Sequence, residues 1–228
     1  MSRANFTAVL VFALGAPALA FAQTGGADDE IIVTATRDPQ GIARAALGGS
    51  VTTIDAETIE TRQIRQISDV LRDVPGAAVN RAGGVGGFTQ VRLRGGESNH
   101  TLVLIDGMEV SDPYVGEFDF ATLIADEVAR VEVLRGQQGA LYGSDAIGGV
   151  IHYITASGAE APGVRARAEY GSFNAWDGAV RIADVAGPVD FAFSAAYQTT
   201  DGEPTARGGS RDVGASNGAL SGRVVFSL

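Results

Sequence analysis

The sequence predicts an α+β domain, a small mixed sheet with short helices, followed by antiparallel amphipathic strands of membrane-barrel type. Three observations predict it. Short β-branched runs broken by Gly, Pro and Asp fill residues 46–156; helical spacing appears there only in brief stretches; and from residue 164 the pattern changes to alternation of apolar and polar residues. A chain of 228 residues has room for one or two domains, and 45% hydrophobic content permits a core. Net charge is −10 and all 17 basic residues are Arg, so the basic face of a general nucleic-acid binder is missing. The absence of Cys excludes thiolate sites, and two His, His100 and His152, argue against a His-based metal cluster.

Arg3 precedes an uncharged stretch over residues 4–22 that ends in Ala20, Phe21 and Ala22. This is the pattern of a secretory signal peptide over residues 1–22. The alternative, a membrane anchor, calls for about 20 apolar residues, and the run is short for that. A polar linker follows, and within residues 23–45 lies a short apolar strand, Ile31, Ile32, Val33, Thr34, Ala35 and Thr36. A lone extended segment on a flexible leash can add to the sheet edge of a partner through main-chain hydrogen bonds. An ordinary edge strand is the other reading.

Residues 50–54 read as a strand, Asp55 as the N-cap of a helix over 56–62, and Ser68 as the N-cap of a second over 69–73 that stops at Pro75-Gly76. Ile64, Ile67, Val70 and Leu71 form the apolar face there. Strands are predicted over 91–95 and 101–105, the second ending at Asp106-Gly107, a pair suited to a tight turn. Between these elements the stretches RAGGVGGFTQ (81–90) and GGESNH (95–100) lack periodicity and read as loops.

Residues 128–155, VARVEVLRGQQGALYGSDAIGGVIHYIT, give a strand, a compact Gly-rich loop and a buried strand. A phosphate-cradling loop would need a Lys after the glycines, and the chain has none. This segment, with ISDVLRDVPG at 67–76, closely resembles the plug domain of TonB-dependent outer-membrane receptors, nearest the cobalamin-transporter group. The resemblance spans roughly residues 30–156, and Gln137 departs from it where the family usually carries Pro.

The resemblance implies a plug over residues 46–156 and identifies Ile31 to Thr36 as similar to the TonB box, through which the energy-transducing partner pulls. It implies that the plug apices touch ligand, which makes Phe88, Thr89, Gln90, Ser98 and Asn99 the candidate ligand-binding residues, with ordinary solvated turns as the alternative. Arg92, Arg94, Arg130 and Arg135 could form an anion site; on alternating strands they are better read as docking residues that meet carboxylates on a surrounding barrel wall.

From residue 164 four alternating stretches place Tyr170, Trp176 and Tyr197 at one end of an apolar face, with Arg165, Arg167, Glu169, Asp177 and Arg181 on the other face. A soluble sandwich also alternates; strands of about 9–11 residues with interfacial aromatics fit a transmembrane barrel better. Residues 160–228 thus read as the first four strands of an incomplete, truncated β-barrel. Asp201, Glu203 and Asp212 are scattered, so no metal site and no cofactor are expected.

The function so implied is import of a scarce, bulky ligand across the outer membrane, with cobalamin first among the ligands, TonB and outer-membrane lipid as partners, the plug facing the periplasm, and no nucleic acid. A ferric-siderophore receptor is the alternative ligand class; a soluble exported binding module is the alternative protein class. No nucleophile, His and carboxylate fall within a recognisable motif, so no catalytic residue is assigned and an enzyme is the weakest reading.

Overall fold

The computed structural model describes residues 32–33, 42–43, 49–204, 209 and 212–227. The predicted signal peptide lies outside the described residues. Near the start, β1 (Ile32–Val33) pairs antiparallel with β2 (Ile42–Ala43), Ile32 opposite Ala43 and Val33 opposite Ile42.

The α+β domain is built on a five-stranded mixed sheet formed by β3 (Ser50–Asp55), β6 (Thr101–Ile105), β7 (Met108–Glu109), β8 (Val128–Arg135) and β9 (Gly149–Thr155), in the order β3-β8-β9-β6-β7. β9 lies antiparallel to β8 and parallel to β6, and all seven of its residues are buried. A central strand covered on both faces reads as a continuous apolar run for that reason. On β8 the pleat sends Val131 and Val133 into one core, and Leu134 joins Val51, Leu102 and Val150 in a second core on the opposite face. Gly149 is obligatory where β9 begins: at φ +150°, a Cβ there would lie 2.2 Å from the Leu134 carbonyl oxygen.

The larger core is capped by α1 (Ala56–Thr61) and α2 (Ile67–Leu71), which bury Ile59, Ile67, Val70 and Leu71. Asp55 caps α1 as the sequence predicts, its Oδ1 accepting the Thr58 N–H at 2.7 Å. The expected Ser68 cap is overturned. α2 begins at Ile67 after Gln66, and Ser68 is fully buried inside it with its hydroxyl taken by Arg81 at 3.1 Å. Residues 89 and 90, read from sequence as loop, instead open β5 (Thr89–Leu93), which pairs with β4 (Ala77–Arg81). The sparse pattern hid that ladder, because β4 alternates half-buried and exposed positions and carries few β-branched residues. Phe120 fills the core floor edge-on to Phe118 at 5.0 Å. Tyr153 is fully buried and donates to the Ile124 carbonyl at 3.1 Å; burial pushes its pKa well above the ordinary phenol value, so it stays a neutral donor.

A second sheet follows: β10 (Gly163–Gly171), β11 (Ala175–Ala186), β12 (Val189–Glu203) and β13 (Val213–Phe226), an antiparallel meander with β10 and β13 as its edges. Its register aligns rows across the sheet: Arg165–Arg181–Ser194–Ser221 on one face, Val164–Ile182–Phe193–Gly222 on the other. The apolar face is exposed, with Val164, Tyr170, Trp176, Ile182, Phe193, Tyr197 and Leu220 all open. No closed barrel is present among the described residues, and no helix there is long and apolar enough to cross a membrane, which says nothing of crossing by strands.

The Asp55 cap gives a first prediction. Hydrogen bonds from Thr58 hold the Asp55 carboxyl below its usual pKa, so its stabilisation is present above the ordinary carboxylate range and is lost as pH falls through the lowered folded value. Asp55→Ala should lower stability by about 1 kcal/mol. Asp55→Asn, an equally good cap without the charge, should match the parent at neutral pH yet lose this part of the acid sensitivity in thermal unfolding followed against pH.

Candidate functional site

The polar face of the four-stranded sheet is turned to the α+β domain, and two-residue periodicity decides which groups reach across. Arg165, Arg167 and Glu169 share that face of β10, Asp177 and Arg181 that of β11, and Gln198 and Asn217 continue the Glu169–Asp177 row. The Arg167 row is completed by Ala179, Ala196 and Ala219, small residues that leave room for a guanidinium. Arg167 sits between two carboxylates: Nη2 donates to both Asp126 oxygens at 2.8 Å, and Nη1 lies 2.5 Å from Asp177. Arg65, in the link between α1 and α2, forks onto Glu169, its Nε 3.0 Å from Oε2. Arg165 pairs with Glu60. Planar, bidentate contacts of this kind are the stronger class of charge-assisted hydrogen bond.

Backbone carbonyls of the domain complete the seam. Asn217 donates to the carbonyls of Ala121 and Thr122, Arg223 to that of Thr155, and Arg181 to that of Ser157 at 3.0 Å. Ser194 donates to Glu127 at 2.8 Å, and Asp190 accepts the Gly158 N–H at 2.7 Å. At the other end of the seam Gly86, at φ +82°, rests on β13 so closely that a Cβ would lie 2.3 Å from the Ala215 Cβ. A side chain there would push the loop off the sheet.

The four arginines expected to dock do not reach a carboxylate of β10–β13 among the described residues. Arg130 pairs within the domain with Glu132 at 2.8 Å and with Glu160 at 3.9 Å; Arg135 donates to the Pro75 carbonyl; Arg92 contacts Gln90; Arg94 lies over Gly136. Cross-seam cation pairing from the domain side runs through Arg65, which alternation arguments missed because it stands in a non-periodic link.

The candidate ligand residues fall into two groups. Gln90 and Ser98 converge on Glu117, whose oxygens accept Gln90 Nε2 at 2.9 Å and Ser98 Oγ at 2.6 Å. Thr89 is buried, its N–H donating to Asp119 Oδ1 at 2.9 Å and its hydroxyl to the Gly87 carbonyl. Phe88 is 45% exposed, and the half-buried Asn99 has an Oδ1 without a hydrogen-bond partner. Sequence reasoning passed over the loop that Glu117 anchors. Asp112 Oδ1 accepts the N–H of Tyr114 at 2.8 Å and of Val115 at 3.1 Å, and Gly116 at φ +69° closes the turn. Tyr114 is thereby held 95% exposed. Asp112-Pro113 with a Gly three residues on is turn chemistry that was legible in principle.

Of the predicted partner segment, Ile32 and Val33 are in β1; Ile31, Thr34, Ala35 and Thr36 lie outside the described residues. Among the described residues no cluster of His, Asp and Glu could hold a metal ion.

Glu117 is the pH-sensitive joint of the loops. Hydrogen bonds from Ser98 and then Gln90 hold its carboxyl below the usual range, so the clamp is present above that range and is lost as pH falls through the lowered value. Glu117→Ala should leave the sheet intact and raise amide exchange over residues 95–100 and 110–118 at neutral pH. Unchanged exchange in those loops would show that Glu117 does not hold them.

Three comparisons bear on this geometry. The family model described as TonB-dependent Receptor Plug Domain matches residues 43–150. The vitamin B12 transporter BtuB of Photobacterium profundum is 40% identical over 149 residues, 65% of this chain and 24% of that protein. The chain thus spans about a quarter of the length of the curated relatives it matches. In fold it is similar to the pyoverdine outer membrane receptor FpvA of Pseudomonas aeruginosa, with a TM-score of 0.67, 20% identity, and coverage of 82% of this chain and 26% of that one. The siderophore receptor PirA of Acinetobacter baumannii gives a TM-score of 0.58 at 25% identity, with coverage of 78% and 29%.

Proposed function

Residues 43–150 are a plug domain of the TonB-dependent receptor family, and from that premise we propose that the protein acts in energised import of a bulky, scarce ligand across the outer membrane, with cobalamin first among the ligands. The family is one of transport receptors and not of enzymes. One observation carries the reading: the second sheet meets the plug through its polar face, and its apolar face is open. Lipid is the partner that such a face fits, and the Tyr170–Trp176 pair, with ring centroids 4.7 Å apart, suits an interfacial girdle.

In this reading β10–β13 are part of the membrane wall. The loops at 81–88, 95–100 and 110–118 form the ligand floor, and the strand containing Ile32 and Val33 is the segment offered to TonB on the periplasmic side. No bond is made or broken in the imported molecule. Ligand binding outside changes plug order, and pulling on the strand opens the way. Cobalamin is favoured because the BtuB relatives, at 37–40% identity, are named as vitamin B12 transporters. A ferric siderophore is the second reading, since receptors with those ligands in their names share the fold. Binding of cyanocobalamin and of ferric siderophores to detergent-extracted outer membranes separates the two; binding of neither overturns the ligand assignment.

Two predictions follow from the placement of residues. Tyr114→Ser should weaken ligand binding by about tenfold, as loss of an exposed aromatic anchor does, with no change in melting temperature because the ring packs on nothing. Val33→Pro removes a main-chain donor from a two-residue strand, and should abolish energised uptake with ligand binding intact. Normal uptake by the Pro variant would sink the partner-segment assignment.

A further inference from the structure

The arginines on the polar face of the four-stranded sheet are not all matched by acids. Arg165 of β10 and Arg181 of β11 stand directly opposite each other in the strand register. Side chains so related have Cβ atoms about 5 Å apart, and like charges placed there repel. Arg165 is paired with Glu60 of α1. Arg181 is only 8% exposed and, among the described residues, has no carboxylate in ion-pair contact; its Nη2 donates to the carbonyls of Ser157 at 3.0 Å and Ala156 at 3.4 Å. The acids whose charge reaches it are held by other groups. Glu127 accepts the Ser194 hydroxyl at 2.8 Å, and Glu160 accepts the Ser157 N–H at 2.9 Å.

Both arginines line one cavity of about 410 Å³ between α1 and the sheet. Of the other two arginines in its lining, Arg65 is held by Glu169, and Arg167 by Asp126 and Asp177. The acids therefore gather at the Arg167 end, and at the Arg165–Arg181 end Glu60 is the one acid in ion-pair contact among the described residues. Ile59, Ala179 and Val180 give the cavity apolar wall, and a wall of low polarity strengthens the attraction between a guanidinium and an anion beside it. Gln63, which follows α1 at φ +52°, adds a neutral amide to the lining.

We propose that Arg165 and Arg181 form a binding site for a small tetrahedral oxyanion of the inorganic phosphate class, and that Glu60 is the side chain that occupies Arg165 when the site is empty. A guanidinium presents a planar fork of donors that matches two phosphate oxygens, so two guanidinia facing each other can share one ion and lose their repulsion. The backbone carbonyls engage only Nη2 of Arg181, which fixes its plane and leaves Nε and Nη1 without a partner among the described residues. Glu60 is displaceable: its side chain is 62% exposed and that of Arg165 56%, so solvent screens the pair and its hold is weak. The buried anchor of α1 is Ile59, so Glu60 can swing aside without disturbing the core. The open apolar face lies on the other side of the sheet from these arginines, which favours a free ion over a lipid headgroup. The site shares no residue with the loops around Glu117, so the anion is distinct from the imported ligand.

The test is calorimetric titration of the purified full chain in detergent with inorganic phosphate, in a chloride buffer. The parent should bind, and saturating phosphate should raise its melting temperature. Arg181→Met, unbranched and uncharged, should abolish both effects. Arg165→Gln should weaken binding by about tenfold, as loss of one charge-assisted contact does. Glu60→Gln should tighten it about threefold, because the competitor for Arg165 loses its charge. That sign separates a ligand site from a structural cluster, in which breaking an ion pair gives no gain in anion binding. If Arg181→Met does not fold, the opposite shifts of Arg165→Gln and Glu60→Gln decide the matter. No phosphate binding by the parent, or equal affinity in the parent, Arg165→Gln and Glu60→Gln, overturns the site. Competition by a short-chain phosphatidylglycerol would assign it to a lipid headgroup and overturn the free-ion reading.

Discussion

The placement of Arg167 between Asp126 of the plug and Asp177 of the neighbouring strand is the contact on which the rest of the arrangement depends. A guanidinium can satisfy two carboxylates at once because its donors are fixed in a plane, and here one carboxylate comes from each partner. Removing the cation would leave two partly buried acids facing one another across the seam. The alanines that complete the Arg167 row make this geometry possible, and the next row supplies Gln198 and Asn217 to reach plug groups that carry no charge. The sheet is positioned by polar complementarity, since its apolar residues face the other way.

That division has a functional consequence. A hydrophobic interface would weld the plug to the wall, whereas ion pairs to carboxylates and hydrogen bonds to backbone carbonyls can be exchanged one by one. The hydrophobic stabilisation is kept inside the plug, around Phe120, Tyr153 and the two cores that sandwich β9. The loops around Glu117 follow the same logic: Glu117 ties Gln90 and Ser98 together by hydrogen bonds alone, and Tyr114 stays exposed.

Particular residues show how far sequence reading goes. Asp55 as a cap, Asp106-Gly107 as a turn and the two strands around the Gly-rich loop are all visible locally, because capping, positive φ and β-branching act within a few residues. Ser68 misled because a Ser before an acidic residue looks like a cap; a side chain from β4 claimed its hydroxyl instead. Gln90 and Ser98 were legible as polar groups near a loop. Their shared partner Glu117 was not, since it lies 19 residues beyond Ser98 in the chain.

By itself the sequence determined the two-part character of the chain: a short-element α+β domain with a buried central strand, then strands whose period-two alternation fixes one apolar and one polar face. These follow from local sterics and from side-chain alternation, which need no knowledge of neighbours. Only the tertiary structure decided which charges meet. Alternation put Arg92, Arg94, Arg130 and Arg135 forward as docking groups; among the described residues the plug cation that pairs with a carboxylate of β10–β13 is Arg65, in a link without periodicity. Pairing across a seam depends on the packing of two sheets far apart in sequence, and the physical reason it escapes the sequence is that any Arg can reach a carboxylate once the fold has placed one beside it.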